Sequence, residues 1–262
     1  MTIGKTLSVV LSVTPYRESS ILTSLFSREH GRLNGVAKGV RRSDRRRVPI
    51  ERGYLIEHVI YLKPHGDLHT ITDCGIVEFY PQLRGDLEKT AIRDLLFDIV
   101  LSSVPAGDTH PEVYELLVGF LEEISTGERE FGDGCAYLSM LLFDFAARLG
   151  FSLDFGWCSS CGCSVAELPQ VWLSVERGLL RCDRCSSGSG AGRDRLFPTG
   201  MLQWYARHSA AGHFVAGGGE FSRIPLREAF TALRLAYDYC RYHMDIRKNL
   251  ASFSFLEHLA AM

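Results

Sequence analysis

Ile21-Leu22-Thr23-Ser24-Leu25-Phe26-Ser27, then Gly31, then Arg32-Leu33-Asn34-Gly35-Val36-Ala37-Lys38-Gly39-Val40 is the stretch that decides the fold. The first segment is β-branched and aromatic enough for a strand, the second gives another, and Gly31 supplies the turn between them. Upstream, Lys5 to Val13 alternates apolar and polar residues with a period of two. Downstream, Gly53 to Leu62 and Leu68 to Phe79 complete the set, joined by Lys63-Pro64-His65-Gly66-Asp67, a loop with hairpin-turn chemistry. Five short strands without a helix of note predict a small antiparallel barrel, with the five-stranded OB-fold as the obvious candidate.

After Pro81 the period changes to 3.6. Ile92, Leu95, Leu96, Ile99 and Val100 form one apolar stripe; Val113, Leu116, Leu117, Phe120, Leu121 and Ile124 a second; Tyr137, Leu138, Leu141, Leu142, Phe145 and Leu149 a third. Helical spacing resumes over Leu226, Phe230, Leu233, Tyr237, Cys240 and Met244. The expected class is therefore α+β: an OB-fold domain over 1–80 and a helical domain over 81–262. The helical domain carries a cysteine-rich insertion at about 155–190, closed by the Ser/Gly-rich tether Ser186 to Gly192. No run of 18 apolar residues occurs, and the N-terminus alternates as a strand rather than forming a signal-peptide core, so a cytoplasmic protein is expected.

The charge distribution is uneven. Arg28 to Arg47 holds eight Lys/Arg against Glu29 and Asp44, a local +6 in a chain whose total is −2, which leaves −8 for everything else. A run of charge is commonly just a solvated face. Here, Arg41-Arg42 and Arg45-Arg46-Arg47 repel one another unless a counter-charge is present. A small barrel is also a common host for a basic groove with aromatic stacking. A polyanion site is the sharper reading. Tyr16, Tyr54 and Tyr61 are the possible stacking residues, each with a core or rim role as the plainer alternative. Gly35 and Gly39 interrupt the third strand, fitting either a barrel corner or a surface that a sugar-phosphate chain approaches closely.

Five of the eight cysteines crowd into Cys158, Cys161, Cys163, Cys182 and Cys185. Two Cys-x2-Cys pairs twenty residues apart, around a hairpin expected at Val171 to Val175 and Leu179 to Cys182, have the layout of a zinc ribbon. Cys158, Cys161, Cys182 and Cys185 are assigned as ligands of one structural Zn²⁺, with Cys163 a spare thiolate able to substitute for Cys161. Redox dithiols are the alternative. Other patterns fall away. Gly4-Lys5-Thr6 lacks the upstream glycine of a phosphate loop, His65, Asp67, His69 and Asp73 read as a polar hairpin tip, and Gly217 to Gly219 read as a loop. No catalytic constellation stands above chance, so no enzyme is expected.

Thr14 to Ser20, Leu25 to Leu33 and Gly35 to Ser43, read together, resemble the RecO family of bacterial recombination mediators. The cysteine pairs fit its zinc-bearing members, and Tyr242 to Arg247 with Phe255-Leu256 looks like a diverged form of its C-terminal segment. The resemblance implies binding of single- and double-stranded DNA, annealing of complementary strands, and assistance to the recombinase on DNA coated with single-strand-binding protein. RecR is the implied partner, with RecF and the recombinase as further ones, and the nucleoid the implied location. By motif position Arg28, Arg32, Lys38, Arg41 and Arg42 would touch DNA, whereas Arg45, Arg46 and Arg47 are included for charge alone. Two alternatives stay open: an adaptor working through protein contacts, and an RNA-binding OB protein.

Overall fold

The computed structural model describes residues 2–40, 50–63, 68–126, 130–166, 168–186, 194–208 and 224–262. By internal contacts the chain divides into two compact units, Met1–Thr126 and Gly127–Met262. The change of periodicity near residue 80 is a change of element type inside the first unit.

In that unit β1 (Thr2–Tyr16), β2 (Ser20–Ser27), β3 (Gly31–Ala37), β4 (Leu55–Leu62) and β5 (His69–Glu78) close into a barrel of order β1-β2-β3-β5-β4. All five expected strands are present, in an OB-like arrangement. One pairing departs from the antiparallel expectation, because β3 and β5 run parallel through Gly35↔His69 to Ala37↔Ile71. A ring with an odd number of strands cannot alternate direction throughout, so one junction has to be parallel. The third strand also stops at Ala37 instead of Val40, since Gly39 turns the chain with φ +71°.

Inward residues Val10, Ile21, Leu25, Leu33, Ile56, Ile60 and Ile71 fill the barrel. Gly35 belongs to this packing. A Cβ there would lie 2.2 Å from Ile71 Cδ1, so the missing side chain is the space that lets β5 close on β3. The barrel-corner reading of Gly35 therefore holds. Tyr54 is likewise in the core, 4% exposed, and unavailable for stacking.

Beyond the barrel, α1 (Pro81–Arg84), α2 (Leu87–Ser103) and α3 (Pro111–Thr126) follow. Asp86 caps α2 by accepting from the Lys89 amide at 3.0 Å. The stripes expected on α2 and α3 are buried, and both helices pack on β1. Val9 and Leu11, out of phase with core residue Val10, are fully buried too, so β1 is covered on both faces.

The second unit centres on α4 (Phe131–Arg148) packed along α7 (Leu226–His243). The ribbon strands β6 (Val171–Ser174) and β7 (Leu179–Cys182) form the expected hairpin, with Gly178 at φ +62° in its turn. A third strand, β8 (Arg195–Phe197), pairs with β6 and was not foreseen. The short α5 (Asp183–Ser186), α6 (Thr199–His208) and α8 (Ala251–Ala260) complete the unit. Among the described residues no helix is long and apolar enough to cross a membrane.

Candidate nucleic-acid and metal sites

Of the basic stretch, Arg28, Arg32 and Lys38 are among the described residues. β3 runs through its middle, and its seven residues at roughly 3.3 Å each hold the two ends about 20 Å apart. At the near end Arg28 Nε meets Glu115 on α3 at 3.0 Å. Arg32 is drawn into the scaffold, where its Nη1 donates to the Leu101 carbonyl at the end of α2 (2.5 Å). Its backbone carbonyl accepts from the Gly107 amide at 2.8 Å, and burial lowers its pKa. Gly31 makes this junction possible: it sits at φ +62°, and a Cβ there would be 1.7 Å from the Asp108 carbonyl oxygen. Phe26, paired with Arg32 across the strands, is fully buried. Helical residues thus occupy this end of the β2–β3 surface.

The far end is different. Lys38 is exposed, just past the Ile21↔Ala37 pair that brings the β1–β2 turn alongside. That turn carries Tyr16, half-buried, with the Arg17 guanidinium 5.1 Å from its ring centroid. Arg41, Arg42, Arg45, Arg46 and Arg47 lie outside the described residues. Tyr61 is partly exposed on β4, opposite Ile3.

Buried polar groups line the end of the barrel beneath the β2–β3 turn. Thr6 Oγ1 donates to Glu29 Oε2 at 2.5 Å and lies 3.0 Å from Ser27 Oγ. The Thr6 bond is the main reason the Glu29 carboxyl titrates below its ordinary range. His58, wholly buried, has Nε2 2.9 Å from Ser8 Oγ. Burial, then the nearby His30 charge, lowers its pKa to about 4.

The false leads resolve simply. Lys5 lies in β1 and pairs with Glu57 at 2.8 Å. His69 Nδ1 accepts from the Lys63 amide at 3.2 Å; Asp73 lies not at a hairpin tip but inside β5, at φ +46° where its pairing with β4 shifts register; His65, Asp67 and Gly217 to Gly219 lie outside the described residues.

In the second unit the cysteines converge. The sulfurs of Cys158, Cys161, Cys163 and Cys182 all lie within 4.8 Å of one another, an arrangement that could hold a metal ion. Cys161 Sγ is 3.5 Å from Cys163 Sγ and 3.8 Å from Cys182 Sγ. A tetrahedron with 2.3 Å metal–sulfur bonds has edges of about 3.8 Å, so the spacing fits four-thiolate coordination. Three of the four assigned cysteines are in this group, and Cys163 is the fourth member. Cys185, the remaining assigned ligand, lies on α5 and is not in this group.

Backbone geometry favours anionic sulfur here. Burial opposes ionisation of Cys158, but amides of Cys182, Cys161 and Ser160 donate to its sulfur and bring it to about 6. Cys161 is lowered first by the Cys163 amide. Cys163 and Cys185 are pushed up to about 12, chiefly by their bonds to Cys161 and Cys182 respectively.

The model of Recombination protein O N terminal matches residues 1–80, and that of Recombination protein O C terminal matches residues 84–248. The chain belongs to the RecO family. Curated relatives named DNA repair protein RecO agree. One from Syntrophobacter fumaroxidans is 32% identical over 68% of this chain and 69% of its own length. One from Geobacter metallireducens is 31% identical over 87% of this chain and 88% of its own. One from Pelodictyon phaeoclathratiforme is 25% identical over 95% and 96%. This RecO-family chain is thus a DNA repair protein, and the family name assigns it no enzymatic reaction.

Proposed function

We propose that this chain binds DNA at the Lys38 end of its barrel and acts as a cytoplasmic, nucleoid-associated recombination mediator. In that role it anneals complementary single strands and helps load the recombinase onto DNA coated with single-strand-binding protein, with RecR as partner. The observation that carries the reading is the asymmetry of β3. Arg28 and Arg32 meet α3 and α2, whereas Lys38 is exposed at the other end of the strand, beside the β1–β2 turn that carries Tyr16 and Arg17, and is followed in the sequence by Arg41 and Arg42. Lys38, Arg41 and Arg42 are the proposed phosphate contacts, with Arg45 to Arg47 adding charge. Arg32 serves the scaffold instead. Phosphate neutralisation without base readout gives sequence-tolerant, salt-steep binding, and it lowers the repulsion between two strands that are to pair.

Zn²⁺ is the proposed occupant of the cysteine cluster. Bound there it supplies a structural crosslink between the Cys158–Cys163 loop and β7, leaving no open coordination position.

Annealing of two complementary fluorophore-labelled oligonucleotides, one pre-coated with single-strand-binding protein, tests the function. Energy transfer should rise faster with the wild-type protein than without it, and K38A/R41A/R42A should abolish the gain. Acceleration preserved in that triple variant would overturn the assignment of these residues. A protein that binds RecR yet neither binds nor anneals DNA would favour the adaptor reading.

A further inference from the structure

The second half of β5 is paired on one side only. On the β3 side the pairs are Gly35↔His69, Val36↔Thr70 and Ala37↔Ile71, and Asp73, at φ +46°, turns the strand just past the last of them. On the other side β4 stays with it through Glu57↔Gly75, Ile56↔Ile76 and Leu55↔Glu78. Among the described residues no strand takes up the β3 side of β5 beyond Ile71. The backbone N–H and C=O groups that point away from β4 there form an open sheet edge. The side chains follow suit. Alternate residues of a barrel strand face the core, as Ile71 does, but from Gly75 to Phe79 all five residues are exposed. Ile76 is 38%, Val77 52% and Phe79 45% accessible. Large apolar side chains beside unpaired backbone are what an edge strand uses to recruit another strand. The residues that commonly guard such an edge are missing, because Thr72 to Phe79 contains neither Lys nor Pro. Its two charges, Asp73 and Glu78, are both negative.

We propose that the Cys74–Glu78 edge of β5 is a docking site for an extended, basic segment of a partner protein, which adds to the sheet as a further strand beside β5. Main-chain hydrogen bonds along the edge hold the segment. Its apolar residues cover Ile76 on one face of β5 or Val77 and Phe79 on the other, and its Lys or Arg residues meet Asp73 and Glu78. A second copy of this chain is the poorer occupant, since its own β5 would bring two more carboxylates to the same edge.

Amide hydrogen exchange of the full-length wild type, with and without a short capped peptide of alternating lysine and valine, tests this. At saturating peptide the outward-facing amides between Cys74 and Phe79 should exchange about tenfold more slowly or better. Anisotropy of the labelled peptide reads the affinity, and the same peptide with glutamate in place of lysine should bind about tenfold more weakly. Val77→Lys changes an exposed side chain and should weaken the basic peptide about fivefold, as should Asp73→Asn/Glu78→Gln. The exchange measurement needs no variant, so a misfolded one leaves the test intact. The proposal is overturned if the basic peptide does not bind, if it binds without protecting β5, or if the acidic peptide binds equally well. Protection of the same amides that grows with protein concentration alone, together with a dimer in sedimentation equilibrium, would assign the edge to a second copy and overturn it too.

Discussion

The two ends of β3 carry residues from the same basic stretch in different surroundings. At one end, Gly31 and Arg32 meet the connection between α2 and α3, with the Arg32 guanidinium on the Leu101 carbonyl. At the other, Lys38 is exposed beside the β1–β2 turn that carries Tyr16 and Arg17. On the proposed function, β3 separates charges held against the helices from those that would meet DNA.

Substitutions at the scaffold end should cost stability, and the greatest loss is expected at Gly31. Gly31→Ala combines a left-handed backbone with a Cβ inside contact distance of Asp108, so about 2–4 kcal/mol should be lost in urea unfolding. A variant as stable as wild type would mean that the junction yields freely and the comparison is wrong.

The buried histidine beneath the same turn predicts a pH dependence. His58 has a folded pKa of about 4 against an ordinary 6.5, so between those values the unfolded chain binds more protons than the folded one. Its contribution is complete above pH 6.5 and is lost as pH falls through 4, on the order of 3 kcal/mol. Glu29, whose pKa is also lowered, loses its contribution in the same direction under acid. The readout is accordingly the difference in slope between wild type and H58Q; equal slopes would contradict the buried, neutral imidazole.

Arg32→Ala should cost about 1–2 kcal/mol through the lost bond to Leu101. Arg28→Ala, removing an exposed pair with Glu115, should cost less than about 0.5 kcal/mol. Reversal of that order in thermal unfolding would show Arg32 to be the more dispensable of the two.

Much of this was legible beforehand. All five barrel strands show in the sequence, β1 by period-two alternation and the others by β-branched and aromatic content or turn chemistry, and the α2 and α3 stripes show in period 3.6, because each signal is local. The β3–β5 junction, the three-residue β8 and the four-residue α1 were not legible, since elements so short leave no periodicity. The bond of Arg32 to Leu101 was not legible for a related reason. Its partner lies 69 residues away, and a charge count does not say what a guanidinium faces. Gly35 left two readings open until Ile71 was seen in the space of its missing side chain. The Cys-x2-Cys rule found the ribbon and left Cys163 as a spare thiolate; the fold-back at Gly162 is what brings it into the cluster.

The most direct test is the salt dependence of binding to a labelled single-stranded oligonucleotide, measured by anisotropy for wild type, R28A/R32A and K38A/R41A/R42A. The triple variant should show a slope of log K against log salt shallower by about 2, near 0.7 for each lost phosphate contact. R28A/R32A, checked to be folded at the assay temperature, should keep the wild-type slope. An unchanged slope in the triple variant, or an equal loss in both, would contradict the division of labour along β3.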